Sequence, residues 1–167
     1  MQQSDIIRPL PELLRGHARR IGEKVAFRDV RRGVTYADLE RRTGRLAGHL
    51  VTPAGPGAGR GLRRGDRVAV YLDDCVEVME SCLAAVRAGA VAVPLNPRAS
   101  DPELDHLLRD SAAAAVVTDP AHLEQVLRLA PGAGGPSVLV VGDEAPPSGS
   151  QSFEALATTE PARPAPD

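Results

Sequence analysis

The sequence predicts an α/β fold: a mostly parallel sheet with helices on both faces. Short apolar runs at Arg67–Leu72, Ala90–Leu95, Ala114–Thr118 and Val138–Val141 alternate with helical patterns. These runs are rich in Val and Ala throughout rather than alternating with polar residues, as in strands covered on both faces. The junctions carry matching punctuation. Gly89 closes a helix ahead of the run at 90–95, and Ser100-Asp101-Pro102 and Asp119-Pro120 open helices after strands.

Taken in order, Leu10 to Ile21 predicts a first helix, with Leu10, Leu13, Leu14 and Ala18 on one face. Lys24 to Asp29 is a short strand and Arg31-Arg32-Gly33 a turn. Thr35 with Asp38 resembles a capping box for the next helix, with Asp replacing the usual Glu. That helix places Tyr36, Leu39, Thr43, Leu46 and Leu50 inward and Glu40, Arg41, Arg42 and Arg45 on a solvated face. After the strand at 67–72, Asp74 and Glu77 mark an acidic helix start, and Val76, Val78, Met79, Cys82, Leu83 and Val86 predict a buried helix. Ala90–Leu95 predicts a strand buried on both faces, ended by Asn96-Pro97 because proline has no N–H for a ladder. Ser100 and Glu103 form a capping box for a helix carrying Leu104, Leu107 and Leu108 inward. A strand at 114–118, a helix to about Leu129, a turn at 131–136 and a strand at 138–141 follow. From Asp143 proline, serine and glycine dominate, and only Ser152–Ala157 holds a helical turn. Residues 1–142 are therefore expected to form one α/β body and 143–167 a linker or tail.

The composition narrows the function classes. At 167 residues a single domain buries roughly 68–70% of its unfolded surface. A net charge of -2 and only two Phe, two Tyr and no Trp argue against nucleic-acid binding, which needs cationic surface or stacking platforms. No apolar run approaches the ~18 residues of a membrane span, so no membrane partner is expected. Two cysteines and a polar amino terminus suggest a reducing, cytoplasmic setting.

Candidate sites are few. The glycine-rich stretch Pro53–Gly61 lacks the strand before and helix start after it that a phosphate loop needs, and it reads as a surface loop. Asp73, Asp74, Glu77 and Glu80 read as capping and surface acids rather than a metal cluster. Cys75 and Cys82 sit two helical turns apart, about 10 Å, too far for a disulfide. His17, His49, His106 and His122 each stand alone without ligand spacing, as surface or packing residues. No catalytic, cofactor-binding or metal-binding residue is assigned.

Four segments in sequence carry a resemblance. They are Val34-Thr35-Tyr36-Ala37-Asp38-Leu39; Gly65-Asp66-Arg67-Val68-Ala69-Val70; Arg87 to Pro97, R-A-G-A-V-A-V-P-L-N-P; and Glu103 to Ser111, E-L-D-H-L-L-R-D-S. In this order and spacing, over most of residues 10–142, the chain resembles the N-terminal part of the adenylate-forming superfamily. Asn96-Pro97-Arg98 is similar to its acyl-CoA synthetase branch, which implies a carboxylic acid substrate. The resemblance implies two steps. A carboxylate attacks the α-phosphorus of Mg-ATP to give acyl-adenylate and pyrophosphate, and a thiol of CoA or of a carrier's pantetheine arm then takes the acyl group. The family's phosphate loop, Thr-Ser-Gly-Thr-Thr-Gly-x-Pro-Lys, is not in these residues, nor is its catalytic lid lysine; Lys24, the only lysine, matches neither. ATP, Mg and CoA or pantetheine are therefore expected of the complete enzyme and no cofactor of this chain, which alone is expected to be inactive. The expected partner is the remainder of the ligase or a second copy of this chain. The alternatives are a non-catalytic interaction module that keeps the fold, or an unrelated doubly wound domain binding a nucleotide at a strand-order reversal. The lack of a glycine-rich strand–helix turn weighs against the latter.

Overall fold

A computed structural model describes residues 8–52, 61–130 and 135–166. Almost all of the glycine-rich stretch at 53–61 and most of the turn at 131–136 lie outside the described residues. The elements run α1 (Leu10–Ile21), β1 (Val25–Arg28), β2 (Gly33–Thr35), α2 (Tyr36–Val51), β3 (Arg67–Tyr71), α3 (Val76–Arg87), β4 (Val91–Pro94), α4 (Asp101–Ser111), β5 (Ala115–Thr118), α5 (Pro120–Leu129), β6 (Ser137–Val140), β7 (Ser150–Ser152) and α6 (Phe153–Thr158). Five strands form one parallel sheet in the order β4-β3-β5-β6-β7. The fold class is therefore the one expected.

Strand alternation divides the core into two layers. Val68, Val70, Ala115, Val117 and Leu139 face one side, where Leu46 of α2, Ala84 and Ala85 of α3 and Phe153 and Ala157 of α6 cover them. Ala69, Tyr71, Val116, Val138 and Val140 face the other, under Leu104 and Leu108 of α4 and Val126 of α5. β1 and β2 stay out of this sheet. They make a separate antiparallel hairpin whose Val34 packs with Leu14, Leu39, Val76 and Leu83.

The helix ends follow local chemistry. The Thr35 hydroxyl accepts from the Asp38 amide at 3.1 Å and donates to the Asp38 carboxylate at 2.9 Å; the shorter acid reaches the hydroxyl. At the end of α3, Gly89 takes φ +73°, its N–H reaches the Val86 carbonyl at 3.0 Å, and the Ala90 N–H reaches Ala85 at 2.9 Å. This is the paired left-handed stop for which glycine is best suited. No helix among the described residues is long and apolar enough to cross a membrane.

Four expectations are corrected. First, β4 is an edge strand rather than a fully buried one, and Val91 is 50% exposed. Second, α3 is not opened by Asp74: Cys75 holds the cap position, and Asp29 of the hairpin accepts the Val76 N–H at 3.0 Å. Third, Arg42, Glu77 and Glu80 are buried rather than solvated. Arg42 grips the Glu80 carboxylate at 2.7 and 3.1 Å and Glu154 of α6 with two bonds of 2.7 Å, while Arg32 bonds both Glu77 and Glu80. Each carboxylate is closed by guanidinium groups, which is what allows it to be buried while charged.

The fourth correction concerns residues 143–167, expected as a linker or tail. Ser150–Ser152 pairs in parallel with β6, and Phe153 and Ala157 are fully buried. Beyond α6, Arg45 pairs with Glu160, and His49 Nε2 lies 3.2 Å from the Thr159 carbonyl. A Cβ on Gly48 would meet the Arg163 carbonyl at 2.4 Å and Pro161 Cγ at 2.5 Å, so the chain lies directly on α2 as far as residue 163.

Candidate functional site at the carboxyl rim of the sheet

The strand order reverses at one point in this sheet. From β3 the chain passes through α3 to β4 on one side; from β4 it passes through α4 to β5 on the other side of β3. In open parallel sheets, ligand sites gather outside the carboxyl ends of strands at such a reversal. Here Tyr71 ends β3 and Thr118 ends β5, paired in register.

The residues at this rim are polar and mutually bonded. Asp119 caps α5, accepting the His122 N–H at 3.0 Å and lying 2.8 Å from His122 Nδ1. The His122 ring stands edge-on to Tyr71 with centroids 4.9 Å apart. The Tyr71 hydroxyl donates to Gln125 Oε1 at 2.9 Å, and burial raises its pKa. Gln125 in turn donates to Asp101 at 2.9 Å, and the Arg128 guanidinium on Asp101 lowers that carboxyl's pKa. The exposed Asp73 completes the rim beside Asp119 and His122, with ligand atoms of all three within 4.8 Å of one another.

These residues do not fit a nucleotide triphosphate. A phosphate cradle uses free amides at a helix N-terminus and favours positive charge. At α3 the Val76 amide is bonded to Asp29, at α4 the Ser100 amide donates to Glu103 at 2.8 Å, and at α5 the His122 amide is bonded to Asp119. Each helix that follows one of these strands thus carries a carboxylate of the chain at its N-terminus, and a phosphate there would meet like charge.

Sequence reading missed this cluster. His122 is one of the four histidines read as solitary, and Asp73 was placed with Asp74, Glu77 and Glu80. The structure separates that acidic group: Glu77 and Glu80 turn into the arginine layer, whereas Asp73 joins the rim. The one local signal was the cap pattern Asp119-Pro120-Ala121-His122, which brings a histidine back over its own capping acid. Of the other histidines, His17 packs on the Tyr36 ring at 5.2 Å and His49 contacts Thr159. Lys24 is exposed just before β1. Cys75 and Cys82 are both free and half-buried; burial pushes the Cys75 thiol up to about 11 and also raises Cys82.

The sequence model of the AMP-binding enzyme family matches residues 14–167. The chain belongs to the AMP-binding enzyme family. Among curated relatives it is 45% identical over 117 residues to the naringenin synthase of Pestalotiopsis fici, covering 70% of this chain and 4% of that protein. It is 44% identical over 99 residues to a feruloyl-CoA synthase of Amycolatopsis, covering 59% of this chain and 19% of that one. Among solved structures, one described as a long-chain-fatty-acid CoA ligase from Rhodopseudomonas palustris superposes with a TM-score of 0.78 at 28% identity, covering 92% of this chain and 37% of that one. The AMP-binding match ends at the last residue and takes in β7 and α6, in keeping with their packing into the body. The chain thus spans from 4% to 37% of the length of these relatives.

Proposed function

We propose that this chain is the N-terminal portion of an ATP-dependent ligase that activates a carboxylic acid as acyl-AMP and passes the acyl group to CoA or to a carrier's pantetheine thiol. The observation that carries the reading is the match of the whole folded body, residues 14–167, to the AMP-binding enzyme family. Relatives named as feruloyl-CoA synthase and as 3-hydroxybenzoate/4-hydroxybenzoate–CoA ligase favour an acid over an amino acid as substrate, as does Asn96-Pro97-Arg98. ATP, Mg and the thiol acceptor belong to the complete enzyme. The chain alone is expected not to adenylate, because its residues hold neither the family's phosphate loop nor its lid lysine.

The partner is the rest of such a ligase, or a second copy, bound against the edge of the sheet at β4. Val91 and Val86 are 50% and 39% exposed there. The Val91 and Leu95 amides turn inward to Asp66 and Val70, which leaves Ala92 and Pro94 facing outward. Pro94 has no N–H, so the edge resists strand addition and binds through side-chain packing.

The test is carboxylate-dependent ATP–pyrophosphate exchange. The chain alone is expected to give only background exchange. Removing one transition-state donor already costs on the order of 10²–10³ in rate. Adding a separately expressed polypeptide with the remaining ligase residues, including the phosphate loop, is expected to restore exchange. Exchange by the chain alone, or no complementation despite measured complex formation, would overturn the reading.

A further inference from the structure

We propose that the buried ion relay Arg32–Glu80–Arg42–Glu154 is a latch: it holds the strap of residues 150–163 on the body and couples release of that strap to the seating of the β1–β2 hairpin. The relay joins four separate parts of the chain. Arg32 stands in the hairpin turn, Glu80 on α3, Arg42 on α2 and Glu154 on α6. The Arg32 guanidinium donates to Glu80 Oε2 at 3.0 Å and to Glu77 Oε1 at 3.1 Å. Arg42 donates to both Glu80 oxygens, from Nε at 2.7 Å and from Nη2 at 3.1 Å. It also reaches both Glu154 oxygens, each at 2.7 Å. Glu80 is thus shared by two arginines, and Arg42 by two carboxylates.

The strap has little else of its own to hold it. α6 is six residues long, and β7 is three residues at the edge of the sheet. A helix that short is not stable in isolation. Residues 141–149, between β6 and β7, hold neither helix nor strand, so no rigid element ties the start of the strap to the sheet. Phe153 and Ala157 fill the core beneath α6, while the Arg45–Glu160 and His49–Thr159 contacts are exposed. Arg42–Glu154 is a better shielded anchor, because the Arg42 side chain is only 9% exposed. A paired fork of this kind outweighs exposed pairs.

Coupling follows from the sharing of charge. The Glu80 side chain has no exposed surface, so it must keep a cation beside it. Without Arg32, Arg42 is drawn towards Glu80, and Glu154 loses part of its hold on Arg42. The Glu154 carboxyl is kept below its ordinary pKa first by its bond to Arg42, and the charge of Arg32 adds to that. Without Glu154, Arg42 turns wholly to Glu80, and Arg32 loses its share of that carboxylate. The effect is reciprocal, as linkage between two sites requires.

Hydrogen–deuterium exchange on the full chain tests the latch, without nucleotide or acid and so independently of the ligase reading. In Arg32→Met, the strap amides of Ala155 and Thr159 are expected to exchange about fivefold faster or more, while the sheet amides of Leu95 and Ala114 keep their rates. In Glu154→Gln, the amides of Asp29 and Tyr36, which close the hairpin, are expected to speed up by a similar factor. Arg32→Met added to Glu154→Gln is expected to leave strap exchange unchanged, because its effect travels through that carboxylate. Arg109→Met removes an equal charge from an exposed pair on α4 and is expected to alter neither strap nor hairpin. Strap amides that keep their rates in Arg32→Met overturn the proposal, as do hairpin amides that keep theirs in Glu154→Gln. So does a full further increase in the double variant, or an equal increase in Arg109→Met. If Arg32→Met also speeds exchange at Leu95 and Ala114, the hairpin amides in Glu154→Gln decide alone.

Discussion

Arg42 shows how a single side chain can be placed on the right helix and given the wrong environment. It falls on the polar arc of α2, beside Arg41 and Arg45, and so reads as solvated. Its partners, Glu80 and Glu154, lie far along the chain, and no local periodicity reports them. Removing one side of a buried ion pair costs about 3–5 kcal/mol because a charge is left uncompensated. Glu80→Ala and Arg42→Ala are each expected to lose stability on that order in urea unfolding. Replacing both by apolar residues of similar volume is expected to cost less than either. Ala112 gives the opposite case. It ends α4 with φ 44° in the left-handed region, where a side chain is strained. Ala112→Gly is expected to stabilise by about 1 kcal/mol, and no change in the denaturation midpoint would contradict the strain.

Asp29 carries the clearest pH dependence at this scale. Its carboxylate accepts the Arg32, Val76 and Arg31 amides, and these bonds lower its pKa from 3.8 to about 2. The folded value lies below the unfolded one, so its stabilisation is fully present above about pH 4 and is lost as pH falls towards 2. Glu77 and Glu154 are also lowered: Glu77 despite the opposing effect of burial, through hydrogen bonds and Arg32, and Glu154 mainly by its bond to Arg42. Acid unfolding is therefore expected between about pH 4 and 2. In Asp29→Asn this loss of stability with falling pH is expected to be smaller. An unchanged acid limb in Asp29→Asn would count against the Asp29 cap on α3.

Among the elements, those with a strong pattern were readable. The strands at β3, β4, β5 and β6 announce themselves by Val-rich runs, and α4 by Ser100 and Glu103. β7 does not. Ser150-Gln151-Ser152 is polar and short, and its place in the sheet comes from pairing with β6 and from Phe153 plugging the core behind it. A proline-rich composition therefore looked like a tail. The structure predicts that limited proteolysis spares Ser150–Thr158 for as long as the sheet itself survives. Early release of everything after Gly142 would contradict that packing. Gly48→Val is expected to destabilise the chain and to expose residues 161–163 to cleavage, since its side chain would enter the space of Pro161 and Arg163.

At the scale of the molecule, the fold was readable because a parallel sheet leaves its signature in each strand and each junction separately. The carboxyl-rim cluster was not, since Asp73, Asp119 and His122 meet only when β3 and β5 pair and Tyr71 takes the His122 ring. The helix ends at the rim carry carboxylates from elsewhere: Asp29 of the hairpin at α3, and Glu103 and Asp119 from α4 and the cap of α5. The proposed role, the N-terminal part of a larger ligase, leaves this body without a nucleotide site of its own. Calorimetric titration of the purified chain with Mg-ATP measures that directly. The account predicts no saturable binding up to millimolar nucleotide. Saturable micromolar binding of one nucleotide per chain would contradict it.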